Sequence, residues 1–310
     1  MTSMIKERAA GSADPNPLLD GEGGAQVGAA ARAQRAAALD GWLSPLLPPT
    51  ADGVALLAVG GLGRRHCAPY GDLDLMLLHR GVPGIDQIAA RIWYPVWDAG
   101  RALDHSVRTV AEALSVAHDD VKVALALLDA RFLAGDRALA AQLTDAAADH
   151  WRRTAVRHAP ALRRLTQQRW ATHGELAFLL DGDLKEAAGG LRDVGVLRAI
   201  AYAGLTDALR PAVRAAQLRL LDTRDALHVT VGRRTERLVA QERSPVAALL
   251  GLPNGDALLR RVAGDARTVK HAVEDAWRAV DRFAARRGRS PVRRPVARDV
   301  IEHDGELVLA

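Results

Sequence analysis

Apolar positions along this chain change period near residue 110. Before it, short apolar runs alternate with turns; after it, nearly every stretch repeats its apolar residues at i, i+3 and i+4. The first half predicts a helix over 27–47, with Ala30, Ala37, Leu39, Trp42, Leu43 and Leu46 on one face and Pro48-Pro49 as its stop. A buried strand follows over 54–59, closed by Gly60-Gly61. A second strand, 73–78, carries Asp72 and Asp74 at its start, and the period of two puts both carboxylates on one strand face. Then come a helix over 85–99, a strand over 102–107, and a helix opening at Thr109, which with Glu112 three residues on makes a capping box.

From about Ala111 the pattern predicts helices over 121–133, 137–173, 191–202, 212–242 and 257–287. The main break among them is a polar, glycine-rich segment from Leu180 to Asp193. Residues 1–26, rich in Gly, Ala, Asp and Pro without any period, read as a mobile tail. Residues 286–298 are basic and contain proline, which reads as a linker, and Glu306–Leu309 reads as a last short strand. The fold class is therefore α+β: a small sheet-containing domain over 27–135, an all-helical domain over 136–287, and a linker or tail over 288–310.

Length agrees, since 310 residues and 33.1 kDa exceed the roughly 100–200 residues of a common single domain. With 49% hydrophobic and 25% charged residues the chain is globular rather than mostly disordered. Sixty alanines, 4% aromatics and only four lysines among 42 basic residues fit an alanine-rich helical protein, and we ascribe the Arg and Ala bias to genome base composition. The net charge of +5 comes with no zinc spacing, basic zipper or RNA-binding aromatic motif, so it argues against a dedicated nucleic-acid binder and suits a phosphate-bearing small ligand. One cysteine, Cys67, excludes an internal disulfide framework and permits a reducing compartment. No signal-peptide core is present and no apolar run approaches the roughly 20 residues of a membrane span, so a soluble, cytoplasmic protein is expected. The six tryptophans, spread through the chain, are expected to anchor helix packing.

The chemistry concentrates in Gly60-Gly61 followed by Asp72-Leu73-Asp74. Two carboxylates on one strand face can ligate Mg²⁺ or Mn²⁺, which take oxygen ligands and also bind substrate phosphates. Backbone without side chains can approach a triphosphate closely. Arg64 and Arg65, in the intervening loop, supply positive charge. Asp-X-Asp also suits an exposed loop edge and Gly-Gly a plain turn, but two acids entering an apolar strand are costly without a cation. Lys185, in the glycine-rich break, suits a phosphate contact or a pairing with Glu186 or Asp181. Arg192 and Asp193 read as nucleotide contact or as a structural ion pair, and Arg108 likewise as a nucleotide or salt-bridge residue.

These residues resemble the nucleotidyltransferase superfamily that includes DNA polymerase β, with its glycine turn and Asp-h-Asp strand. More closely, Val59-Gly60-Gly61-Leu62-Gly63-Arg64 and Ala68-Pro69-Tyr70-Gly71-Asp72-Leu73-Asp74-Leu75 resemble the transferase module of the bacterial PII uridylyltransferases, the nitrogen-signalling enzymes. Three further stretches agree in order: 105–109, 129–135, and 183–193 with its Gly189-Gly190-Leu191-Arg192-Asp193. The resemblance implies a polymerase β-like fold and transfer of UMP or AMP from UTP or ATP to a tyrosine hydroxyl of a PII protein. It implies Asp72 and Asp74 as catalytic metal ligands, with Gly60, Gly61, Arg64, Arg65, Lys185 and Arg192 at the nucleotide.

A third carboxylate often completes such sites. Asp104 on the third strand is the candidate, where the family commonly has Gly, and Asp183 competes with it. Departures also occur at His66, Cys67 and Gly71. Family members continue into an HD-type hydrolase and two ACT domains. His118-Asp119, read as a helix start capped by Asp119, and His303-Asp304 do not make an HD site, so no uridylyl-removing activity or glutamine sensing is expected. A non-catalytic module that binds nucleotide or PII, and a piece of a longer reading frame, are the alternatives.

Overall fold

The computed structural model describes residues 27–286 and the strand backbones of Arg293–Ala297, Val300–His303 and Glu306–Leu309. The expected mobile tail over 1–26 lies outside the described residues, as does Asp304. In chain order come α1 (Ala29–Leu43), β1 (Val54–Ala58), α2 (Gly60–Gly63), β2 (Leu73–His79), α3 (Ile85–Asp98), β3 (Leu103–Arg108), α4 (Val110–Asp119), α5 (Val121–Leu128), β4 (Arg131–Gly135) and α6 (Arg137–His173). They are followed by β5 (Gly182–Asp183), α7 (Leu191–Tyr202), α8 (Pro211–Val231), β6 (Arg237–Leu238), α9 (Arg243–Leu249), α10 (Gly255–Arg286), β7 (Arg293–Ala297), β8 (Val300–His303) and β9 (Glu306–Leu309). The α+β class expected from the apolar periods is the class observed.

Two compact units form. The first runs to Ala147 and includes Leu221–Leu258; the second comprises Ala148–Leu220 and the chain from Leu259. The first unit is thus discontinuous in sequence, taking back a segment that periodicity alone groups with the helical half.

Its sheet has the order β3-β2-β1-β4. β1 pairs antiparallel with both β2 and β4, while β2 and β3 run parallel. β1 is buried at all five positions, because it is covered on both faces. On one face, Val54, Leu56, Ala58, Leu73, Leu75 and Leu77 pack in a single core with Leu39 and Leu43 of α1 and Ile92, Trp93 and Val96 of α3. Each fully buried Leu or Ile there contributes about 2 kcal/mol. Those residues fix β2 in place, and with it the carboxylates at its start.

Several expectations need correction. The helix expected over 121–133 stops at Leu128, and Arg131–Gly135 forms β4 on the free edge of β1. An apolar run so short carries no distinction between helix and strand; the open edge of β1 decides it. The helix expected over 212–242 ends at Val231, where Gly232 takes φ +70° and the chain leaves for β6. Within the expected linker, Arg293–Ala297 is a strand, antiparallel to β8, which in turn pairs with the anticipated strand Glu306–Leu309. On α1 the expected face is buried in part: Leu39 and Leu43 lie in the core with Trp42 and Leu46 packed against it, but the other positions differ. Ala30 and Ala37 are exposed, whereas Arg32 and Arg35 are buried, because Asp222 and Asp225 meet them at 2.7–2.9 Å. His118-Asp119 ends α4 rather than starting a helix, and the cap of α5 is Asp120, whose carboxylate accepts from Lys122 N at 2.7 Å. Thr109 and Glu112 do form the anticipated capping box, with bonds of 2.7 and 3.3 Å. Trp93, Trp151 and Trp277 are buried as expected, but Trp97 is exposed.

Candidate active site

The antiparallel ladder of β1 and β2 extends one step further, with Val59 N donating to Asp74 O at 3.0 Å. The chain then turns at Gly60 into the short helical turn α2. Gly60 has φ +52°, and a Cβ there would lie 2.6 Å from Asp74 Oδ2. Gly61 N donates to that same oxygen at 3.2 Å. The first reason for glycine at position 60 is therefore room for Asp74, not only closeness to a ligand.

Asp72 stands immediately before β2 and Asp74 within it, two residues apart. In the parallel pairing of β2 and β3, Asp74 is the register partner of Asp104. Paired residues in neighbouring strands point to the same face, so Asp104 of the edge strand β3 shares its face with Asp74. Among the described residues, no three His, Cys, Asp or Glu side chains stand close enough together to hold a metal ion. Two carboxylates nevertheless fit Mg²⁺, which characteristically takes one or two from the protein and the rest of its oxygens from water and substrate phosphates. Asp72 Oδ1 meets Arg234 Nη1 at 2.5 Å.

The loop from Arg64 to Asp72 is held from all sides. Arg35 Nε donates to Cys67 O at 2.7 Å, Arg101 Nη2 to Gly71 O at 2.8 Å, and Tyr70 N to His228 Nδ1 at 3.3 Å. Arg64 pairs with Asp129 at the end of α5. Arg131 forks onto Asp40 at 2.7 and 2.8 Å and also donates to the carbonyls of Gly63 and Leu62. Of the two loop arginines expected at phosphate, Arg64 is thus engaged by Asp129. Arg65 is 61% exposed, 3.9 Å from Asp40, and takes φ +59°, the one described non-glycine residue with positive φ.

Burial sets the titrations here. It pushes the Cys67 thiol up to about 11. It also pushes His228 down to about 4, helped by the Arg224 guanidinium. A neutral His228 keeps Nδ1 available as acceptor for Tyr70 N.

The remaining candidates belong to the second unit. Asp183 Oδ1 accepts from the backbone N–H of Lys185 and Glu186 at 2.8 and 2.7 Å, capping this turn. Arg192 and Asp193 do not pair with each other. Arg192 meets Glu186 at 3.1 Å, while the fully buried Asp193 accepts from Arg169, from Trp170 Nε1 and from Gly189 N. Gly189, at φ +83°, has Ala266 O where a Cβ would be, at 2.4 Å. Lys185 lies at the same turn. Back in the first unit, Arg108 closes β3 with Nη1 buried and without a hydrogen-bond partner.

Residues 129–135 carry a resemblance without a role in the sequence; Asp129 and Arg131 prove to brace the glycine turn. Arg35, Arg101, His228 and Arg234 had no local signal at all, since each acts on a segment at least 30 residues away.

A glycine turn folded onto an Asp-X-Asp strand, with a third acid in register beside it, defines a candidate site for metal-assisted chemistry on a polyphosphate. The GlnD PII-uridylyltransferase family model matches residues 157–277. A bifunctional uridylyltransferase/uridylyl-removing enzyme of Streptomyces coelicolor is 47% identical over 308 residues, covering 93% of this chain and 37% of that protein. Same-named enzymes of Mycobacterium tuberculosis and Corynebacterium glutamicum are 41% and 35% identical, covering 84% and 83% of this chain and 34% and 37% of theirs. The chain belongs to the PII-uridylyltransferase family and spans about a third of the length of these relatives. No described helix is long and apolar enough to cross a membrane.

Proposed function

We propose that this chain carries nucleotidyl transfer: UMP or AMP passes from UTP or ATP to a tyrosine hydroxyl of a PII-type signalling protein, and pyrophosphate is released. The observation that supports it is the placement of Asp74, packed into the space left by Gly60 and in register with Asp104, with Asp72 two residues before it. The phenol oxygen forms a bond to the α-phosphorus, the bond from that phosphorus to the bridging oxygen of the β-phosphate breaks, and the phenol proton passes to a base. Asp104, exposed on the edge strand, is the base we assign. Asp72 and Asp74 would hold Mg²⁺ or Mn²⁺, which supplies charge stabilisation at the phosphoryl oxygens. Gly61 N, donating to Asp74 Oδ2, orients that carboxylate. The uridylyl-removing activity in the relatives' name is said of those proteins.

The test is transfer of α-labelled UTP or ATP to purified PII by the purified chain with Mg²⁺ or Mn²⁺. Asp72→Asn with Asp74→Asn is expected to lower transfer by about 10³-fold or more, the scale of removing preorganised charge from a transition state. Absence of transfer from either triphosphate overturns the proposal.

A further inference from the structure

Arg234 lies in the loop between α8 and β6, 162 residues beyond Asp72 in sequence, yet its Nη1 is 2.5 Å from Asp72 Oδ1. Both side chains keep contact with solvent, at 48% and 30% exposure. Ion pairs this exposed contribute little and exchange readily. Two residues on, Glu236 accepts from Arg224 Nε at 2.7 Å, and both of those side chains are largely buried. The end of the loop is therefore anchored, and the half-exposed Arg234 side chain can redirect its guanidinium without moving the backbone.

A divalent cation on Asp72 would sit beside the guanidinium at the same carboxylate, and the two positive charges repel, so each weakens the other's hold there. A cation arriving on a nucleotide brings its own alternative partner for the arginine, the triphosphate. A guanidinium fork matches phosphate oxygens better than a point charge does. Of the two loop arginines nearer in sequence, Arg64 is already engaged by Asp129 and Arg65 lies 3.9 Å from Asp40. We propose that Arg234 is a phosphate-binding residue of this site, neutralising Asp72 when nucleotide is absent and passing to the triphosphate when the nucleotide brings its cation to Asp72. This assignment rests on the transfer site proposed above.

It requires effects of opposite sign on two ligands. Arg234 competes with a bare cation and assists a nucleotide carrying one. The experiment uses the full chain, as wild type, Arg234→Gln and Arg234→Lys, with thermal melting to show that each is folded. Mn²⁺ binding alone is followed by paramagnetic resonance; binding of α,β-methylene UTP and ATP with Mg²⁺, and of UMP and AMP, is followed by calorimetry. Arg234→Gln is expected to bind Mn²⁺ about 3–10-fold more tightly and the triphosphate analogue about 10-fold more weakly, the scale of one charge-assisted contact, with the monophosphate changed less than about 2-fold. Arg234→Lys should recover part of the triphosphate affinity. Unchanged or tighter triphosphate binding in Arg234→Gln, or unmoved Mn²⁺ affinity, overturns the role of Arg234 while leaving the transfer site standing. Wild type that binds neither analogue overturns the transfer site itself.

Discussion

Gly60 and Asp74 share one space: a methyl group on the glycine would lie 2.6 Å from the carboxylate oxygen, and the glycine backbone turns there at φ +52°. Gly60→Ala must therefore strain the turn and displace Asp74. The expected result is a stability loss of about 1–3 kcal/mol, read by thermal or urea unfolding, and a fall in transfer well beyond what that loss explains. A variant with full transfer would show that Asp74 is not needed where it stands.

His228 ties α8 to the loop before β2 through Tyr70 N, and burial holds its folded value at about 4, below the ordinary 6.5. Between those values the unfolded chain binds a proton that the folded chain does not. The contribution is complete above pH 6.5 and is lost as the pH falls towards 4, amounting to about 3 kcal/mol at most. Urea midpoints at about pH 7.5 and about pH 5 should differ more for the wild type than for His228→Gln, whose amide oxygen can still accept from Tyr70 N but does not titrate in this range. Equal slopes in the two proteins would remove His228 as the source.

Arg131 joins Asp40 of α1 to the carbonyls of Leu62 and Gly63 through a planar fork. Lysine keeps the charge and loses the fork. Arg131→Lys is expected to cost about 2–3 kcal/mol, because partly buried acceptors are left unpaired, and to lower transfer as the glycine turn loosens. A neutral result by unfolding would mean that the fork is dispensable.

Cys67 is buried and its thiol is pushed up to about 11. The thiolate is the reactive form, so native protein should resist iodoacetamide near pH 8 and label rapidly once unfolded. Mass spectrometry of the native protein settles it, since prompt labelling would contradict the burial.

Local order was largely legible in the sequence. The spans of α6 and α7 were read to the residue, and the capping box at Thr109 was found from a four-residue pattern, because both signals are complete within a few turns of chain. Where two structures suit the same short segment, local pattern failed. Residues 131–135 became a strand because β1 had a free edge, and Arg32 and Arg35 went inward because two aspartates of α8 were there to receive them.

The same division holds at the site. Sequence by itself determined that a glycine turn precedes an Asp-X-Asp strand, since period two is enough to put both acids on one face. Only the tertiary structure decided that Asp104 stands in register with Asp74, that Asp183 Oδ1 caps a turn, and that Arg234 reaches Asp72 across 162 residues. Periodicity tells which face a side chain takes; what that face meets depends on strand order and on the return of a distant helix, and neither leaves a trace in neighbouring residues.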